Sequence, residues 1–172
     1  AEKLAEAGLE TQIFESEPGR ASVVARIAGT DPGADALLLH GHLDVVPADP
    51  ADWTFYPFAA EVRDGLVWGR GAVDMKDMDA MMLAVTRRVL REGRRPRRDI
   101  VLAFLADEEA GGTHGAKFLA DHHPDLFDGV SEAVSEVGGY SYEVSPDLRF
   151  YLIEPAQQGL AWMRLQARGQ AG

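Results

Sequence analysis

Two short apolar runs on either side of one helical-period segment do most to limit what this chain can fold into. The first run, Ala36 to Leu39 within DALLLHGHLDVV, and the second, within DIVLAFLAD, have the length and composition of strands buried on both faces. Between them, from Asp74 to Glu92, residues Met75, Met78, Met82, Val85 and Val89 recur at helical spacing, and Gly93 stands where such a helix stops. Strand, helix and strand in that order predict an α/β fold with a mixed, mainly parallel sheet covered by helices on both faces. Ligand sites in such sheets lie at the carboxyl ends of the strands.

The flanking segments fit the same plan. AEKLAEAG reads as a short helix closing at Gly8, TQIFESE and SVVARIAG as strands, and EVRDGLVWG as a hairpin turned by Asp64 and Gly65. After the second apolar run come a turn, EEAGG, a helix, THGAKFLADHH, and a further strand end, EAVSEVGG. The basic run RRPRR behind the long helix is expected to be a solvated loop.

Composition narrows the function. A hydrophobic share of 46% with 26% charged residues belongs to a globular fold, and a net charge of −11 argues against a nucleic-acid partner. No apolar run approaches the roughly 18 to 20 residues needed to cross a bilayer, so no membrane partner is expected and a cytoplasmic location is. The chain has no Cys, so any metal site must be built from His and carboxylates, a donor set that suits catalytic better than structural sites.

Those donors gather where strands end. His42 and Asp44 follow LLLHG, Glu108 and Glu109 follow LAFLAD, Glu136 lies in EAVSEVGG, and Asp74 opens the long helix. Singly each has an ordinary reading: Asp74 as a helix N-cap, the Glu pair as a solvated turn, Glu136 as a surface residue. Together they place acid or imidazole groups from four segments on one edge. Catalytic zinc takes His nitrogen and carboxylate oxygen, keeps a position open for water and lowers that water's pKa to about 7, and a carboxylate can bridge two ions about 3.5 to 4 Å apart. Residues two apart in a strand share a face, so Asp44 is placed to fix the tautomer of the His42 ring; His40 shares that face and reads as a structural histidine. Of Glu108 and Glu109, one can hold metal while its neighbour stays free as a general base.

The segments HGHLDVVP, GRGAVDMKD, DEEAGG and SEVGG resemble, in order and spacing and over nearly the whole chain, the metallopeptidase family of carboxypeptidase G, acetylornithine deacetylase, succinyl-diaminopimelate desuccinylase and the aminoacylases. The resemblance implies a zinc-peptidase-like catalytic domain holding two zinc ions, with cobalt or manganese as substitutes. It implies that His42 and Glu136 bind one ion, Asp74 bridges both, Glu109 binds the second, Glu108 is the general base and Asp44 the partner of His42. The implied substrate is an N-acyl amino acid or small peptide, cleaved at its amide bond when Glu108 deprotonates a metal-bridging water. A non-catalytic metal-binding or interaction domain on the same fold is the alternative, and Glu108 weighs against it. Residues 1–158 would be the N-terminal part of the catalytic domain and 159–172 the first strand of an inserted lid; the rest of that lid, through which a homodimer forms, and a last metal-binding His would lie beyond this sequence. Asp77 departs from the family's usual glycine, which would alter the helix entry or bring one more carboxylate to the site.

Overall fold

The computed structural model describes residues 1–136, 141–153, 155, 156, 159, 161 and 163–169. They fall into two compact units, Ala1–Glu136 and Val137–Gly172.

The first unit holds a five-stranded sheet built from β1 (Gln12–Glu15), β2 (Ala21–Ile27), β3 (Ala36–His42), β4 (Ile100–Leu105) and β5 (Val130–Val134), ordered β1-β2-β4-β3-β5. The sheet is mixed: β1 with β2 and β2 with β4 run antiparallel, whereas β3 is parallel to both β4 and β5. Helices α1 (Glu2–Ala5) and α2 (Lys76–Arg91) pack on one face and α3 (Phe118–His122) on the other. The strand period of two splits β4 between two cores: Leu102 and Phe104 join Leu4 and Met82, while Val101, Ala103 and Leu105 join Leu119. Burying a side chain such as Leu102, which has no exposed surface, contributes about 1.5–3 kcal/mol.

Two expectations change. The strand buried along nearly its whole length is β4, from Val101 to Leu105, whereas Leu37, Leu38 and Leu39 of β3, which also has a strand on each side, are only half-buried. In α2 the buried row is Met75, Asp79, Met82 and Thr86, and Val85 is 62% exposed. The inward face therefore includes two polar residues that no apolar template selects. Gly41 makes room for it: a Cβ there would lie 2.5 Å from Asp79 Oδ1 and 2.7 Å from the Met75 methyl.

The hairpin forms as expected, from Glu61–Arg63 and Leu66–Trp68, with Asp64 and Gly65 both at positive φ in the turn geometry that matches strand twist. The basic run is a mostly exposed loop, as expected, and its arginines also bond across the fold. Arg95 donates to the carbonyls of Ala28 and Gly29, Arg97 pairs with Asp31, and Arg98 reaches Glu132 and the carbonyls of Asp35 and Ala36. It laces the loops at the sheet's opposite end.

In the second unit, Ser141–Ser145 and Leu148–Tyr151 pair as an antiparallel hairpin with an Arg149–Glu143 ion pair. The VGG of SEVGG lies outside the described residues, as do positions 160, 162 and 170–172 of the expected lid strand. Among the described residues no helix is long and apolar enough to cross a membrane.

Candidate metal centre

Strand register assembles the site. β3 and β4 run side by side to their ends, with His42 opposite Leu105, and β5 lies alongside β3 with Val134 opposite Leu39. β3 and β4 therefore end level and β5 stops opposite Leu39, short of them, so that Asp44, Glu108 with Glu109, and Glu136 beyond the end of β5 reach the same edge of the sheet. The fourth segment is tied in at the start of α2, where the Lys76 ammonium donates to the Leu43 carbonyl and the Lys76 N–H to the Gly71 carbonyl at 2.9 Å.

His42 is 2% exposed and stands at the centre of the group. Its backbone N–H donates to Met75 Sδ at 3.1 Å. Its Nδ1 lies 3.0 Å from the Asp44 carbonyl oxygen, which can only accept, so Nδ1 carries the proton. The Asp44 carboxylate is farther off, 3.6 Å from Nδ1. Asp44 thus meets the ring through its backbone carbonyl and not through its carboxylate. The carboxylate is engaged elsewhere, accepting the N–H groups of Glu108 and Glu109 at 3.0 Å each.

The other ring nitrogen, Nε2, faces carboxylates: Asp74 Oδ1 at 3.0 Å, Glu136 Oε2 at 3.4 Å and Glu108 Oε2 at 3.9 Å. A lone pair and carboxylate oxygens repel unless a proton or a cation lies between them. Ligand atoms of His42, Asp74 and Glu136 all fall within 4.8 Å of one another. A tetrahedral ion with ligands at about 2.0–2.1 Å holds them roughly 3.4 Å apart, so one nitrogen and two oxygens at these separations fit a divalent ion of the zinc type.

Electrostatics follow the same arrangement. Burial lowers the His42 pKa, but the Asp44 carbonyl and the charges of Glu136, Glu108 and Asp74 outweigh it, and the ring holds its proton above the ordinary range. Burial raises the Glu108 carboxyl and, against the pull of His42, so do its neighbours Glu109, Asp44 and Asp74. Glu136 is raised likewise, by burial first and then by Asp74 and Glu108. For His40 burial pushes the pKa down; its Nδ1 sits 3.3 Å from Ser135 Oγ, and it stands apart from the group, as expected of a structural histidine.

Asp74 is no N-cap, since Met75 holds that position and no side chain bonds across it. Asp77 is exposed, and its carboxylate accepts the Met78 N–H. Glu109 is placed by its backbone, and its carboxylate is not among the three clustered ligands. Sequence reasoning missed Asp107, a buried acid immediately before Glu108; an aspartate ending so apolar a run as LAFLAD is the signal that was there to be read.

An α/β sheet that delivers an imidazole and several carboxylates to its carboxyl edge has the fold and donor set of a divalent-metal centre. Comparison with known proteins supplies the family: residues 38–156 match the model of peptidase family M20/M25/M40, and the chain belongs to that family. It is 37% identical over 119 residues to aminoacylase-1 of Sus scrofa, covering 69% of this chain and 29% of that protein. To succinyl-diaminopimelate desuccinylase of Paracoccus denitrificans it is 34% identical over 173 residues, covering 100% of this chain and 43% of the relative. The crystal structure of human carnosine dipeptidase 1 superposes with a TM-score of 0.66 at 25% identity, covering 79% of this chain and 31% of that one. The chain thus spans less than half the length of these relatives.

Proposed function

We propose that the protein to which this chain belongs is a divalent-metal-dependent hydrolase that cleaves the amide bond of an N-acyl amino acid or small peptide. One observation carries the reading: a His42 ring with Nδ1 committed to a carbonyl turns its other nitrogen onto the carboxylates of Asp74 and Glu136, with Glu108 beside them. His42, Asp74 and Glu136 would hold one ion; Asp74 and Glu109, with a ligand from outside this chain, would hold the second. Zinc suits the donors, and cobalt or manganese can replace it. Bound ions of this kind acidify water and polarise a carbonyl.

The chain's own residues do the rest. Glu108, raised in pKa and not needed as a ligand, takes a proton from water and later gives it to the leaving amine. Asp44 keeps the His42 ring in one tautomer through its carbonyl and holds the Glu108–Glu109 backbone through its carboxylate. The names of the relatives, an aminoacylase and a desuccinylase, support an N-acyl amino acid as substrate class. The domain plan belongs to the same proposal: residues 1–158 in the catalytic domain, 159–172 opening a lid that pairs two subunits, and a cytoplasmic location.

Metal analysis of the full-length protein combined with a screen of N-acyl amino acids and dipeptides tests the reading. Hydrolysis that chelator abolishes and zinc restores is the expected outcome. Tight metal binding with no turnover of any of them would instead indicate the non-catalytic metal-binding domain.

A further inference from the structure

We infer that Asp107 and Arg20 are a positioning pair that aims the Glu108–Glu109 turn at His42, an inference that rests on reading Glu108 as the base. Asp107 has φ +68°, a left-handed backbone that a residue with a side chain keeps only when its surroundings enforce it. The enforcement is visible on every side. Asp107 is 3% exposed; its Oδ2 accepts the His114 N–H at 3.1 Å and its carbonyl the Gly112 N–H at 2.6 Å. One side chain therefore ties together the two ends of the loop that carries both glutamates.

That loop is also braced from behind by the turn between β1 and β2. Arg20 Nη1 sits 3.2 Å from Asp107 Oδ1, and Ser16 Oγ donates to the His114 carbonyl at 2.8 Å. At the loop's base, the Ala106 N–H donates to Ser22 Oγ at 3.1 Å, and a side chain at position 115 would run into the Ala106 carbonyl. Asp44 grips Glu108 and Glu109 from the front. Without Arg20, Asp107 would be a buried charge supported by neutral donors alone, a strong reason for the turn to relax. Relaxation would swing the base away from the water it must deprotonate, and small misplacements of a reacting group lower rates steeply.

The test uses the full-length, metal-saturated enzyme with Arg20→Ala, Arg20→Lys, Asp107→Asn, the Arg20→Ala/Asp107→Asn double variant, and Glu108→Gln as the reference. Arg20 is 44% exposed on a surface turn, so its replacement leaves a folded protein. Arg20→Ala is expected to lower kcat by about 10-fold or more, with the ion on His42, Asp74 and Glu136 retained and KM within about threefold. Arg20→Lys, which keeps a cation on Oδ1, should recover most of the loss, and the double variant should be no worse than the poorer single one. Wild-type kcat in Arg20→Ala alongside a dead Glu108→Gln would overturn the positioning pair and leave the hydrolase reading standing. Turnover surviving in Glu108→Gln would remove the base itself, and the positioning role would fall with it.

Discussion

Asp79→Asn isolates an unfavourable buried group in the first unit. Asp79 is 5% exposed on the inward row of α2, neither carboxylate oxygen has a hydrogen-bond partner among the described residues, and burial pushes its pKa from 3.8 to about 6 against the opposing charges of Lys76 and His42. That gap, at about 1.4 kcal/mol per factor of ten, makes the ionised form about 3 kcal/mol less favourable folded than unfolded. Because the folded value is raised, the folded protein binds more protons between the two values. The contribution is therefore least unfavourable below 3.8, worsens as pH climbs to about 6 and is constant above. Asparagine keeps the shape and cannot ionise, so the other titrating groups largely cancel in the difference between variant and wild type. That difference should move by about 2.4 kcal/mol in the variant's favour from pH 4 to pH 7, since part of the full gap is already present at pH 4, or about 5–10 °C of melting temperature at 2–4 °C per kcal/mol for a chain of this size. Denaturant melts of both proteins in chelator at each pH measure it. A difference that stays flat across that range would show that Asp79 ionises freely and that the absence of a partner is immaterial.

Glu108→Gln should retain metal and lose at least about 100-fold in turnover, the scale of removing a general base; near-normal rates would refute the assignment. Asp74→Ala should bind fewer ions than Asp44→Asn, which should lose about 10–100-fold in affinity or activity through the His42 ring and the glutamate backbone; metal content of the two variants, ranked the other way, would contradict the bridging role. Metal affinity should fall with decreasing pH through the raised pKa of His42, because the cation displaces the Nε2 proton, and calorimetry in buffers of different ionisation heat should record proton release on binding. Zinc at 100 times its dissociation constant should stabilise the fold by about 2.7 kcal/mol, readable as a rise in melting temperature that His42→Ala removes.

How much of this was legible in the sequence varied with the kind of information each feature needs. The strand edges were readable because apolar runs and turn residues are local signals, and the convergence of His42, Glu108 and Glu136 followed from parallel strands pointing to one edge, with Asp74 brought there by the segment before α2. The inward face of α2 was read one position off at Val85, because an apolar template passes over a buried Asp79 and Thr86 whose placement depends on the gap left by Gly41. The bonds of Arg95 and Arg98 to carbonyls of distant loops, and the choice between the two kinds of oxygen on Asp44, exist only in three dimensions. The brace at Asp107 depends on a backbone angle that no residue type announces.

The contact between the His42 N–H and the Met75 sulfur places a thioether directly under the proposed ligand. Thioethers age: peroxide converts them to sulfoxides, which are bulkier and polar. Met75 is fully buried, with Gly41 and Asp79 pressed close by, so an oxidant reaches it only when this part of the protein opens. Once oxidised, the side chain no longer fits the space from which it came, and the strand end bearing His42 loses its seat. Oxidative inactivation should therefore scale with the population of the opened form as well as with peroxide, and a bound metal that disfavours opening would act as the site's own antioxidant.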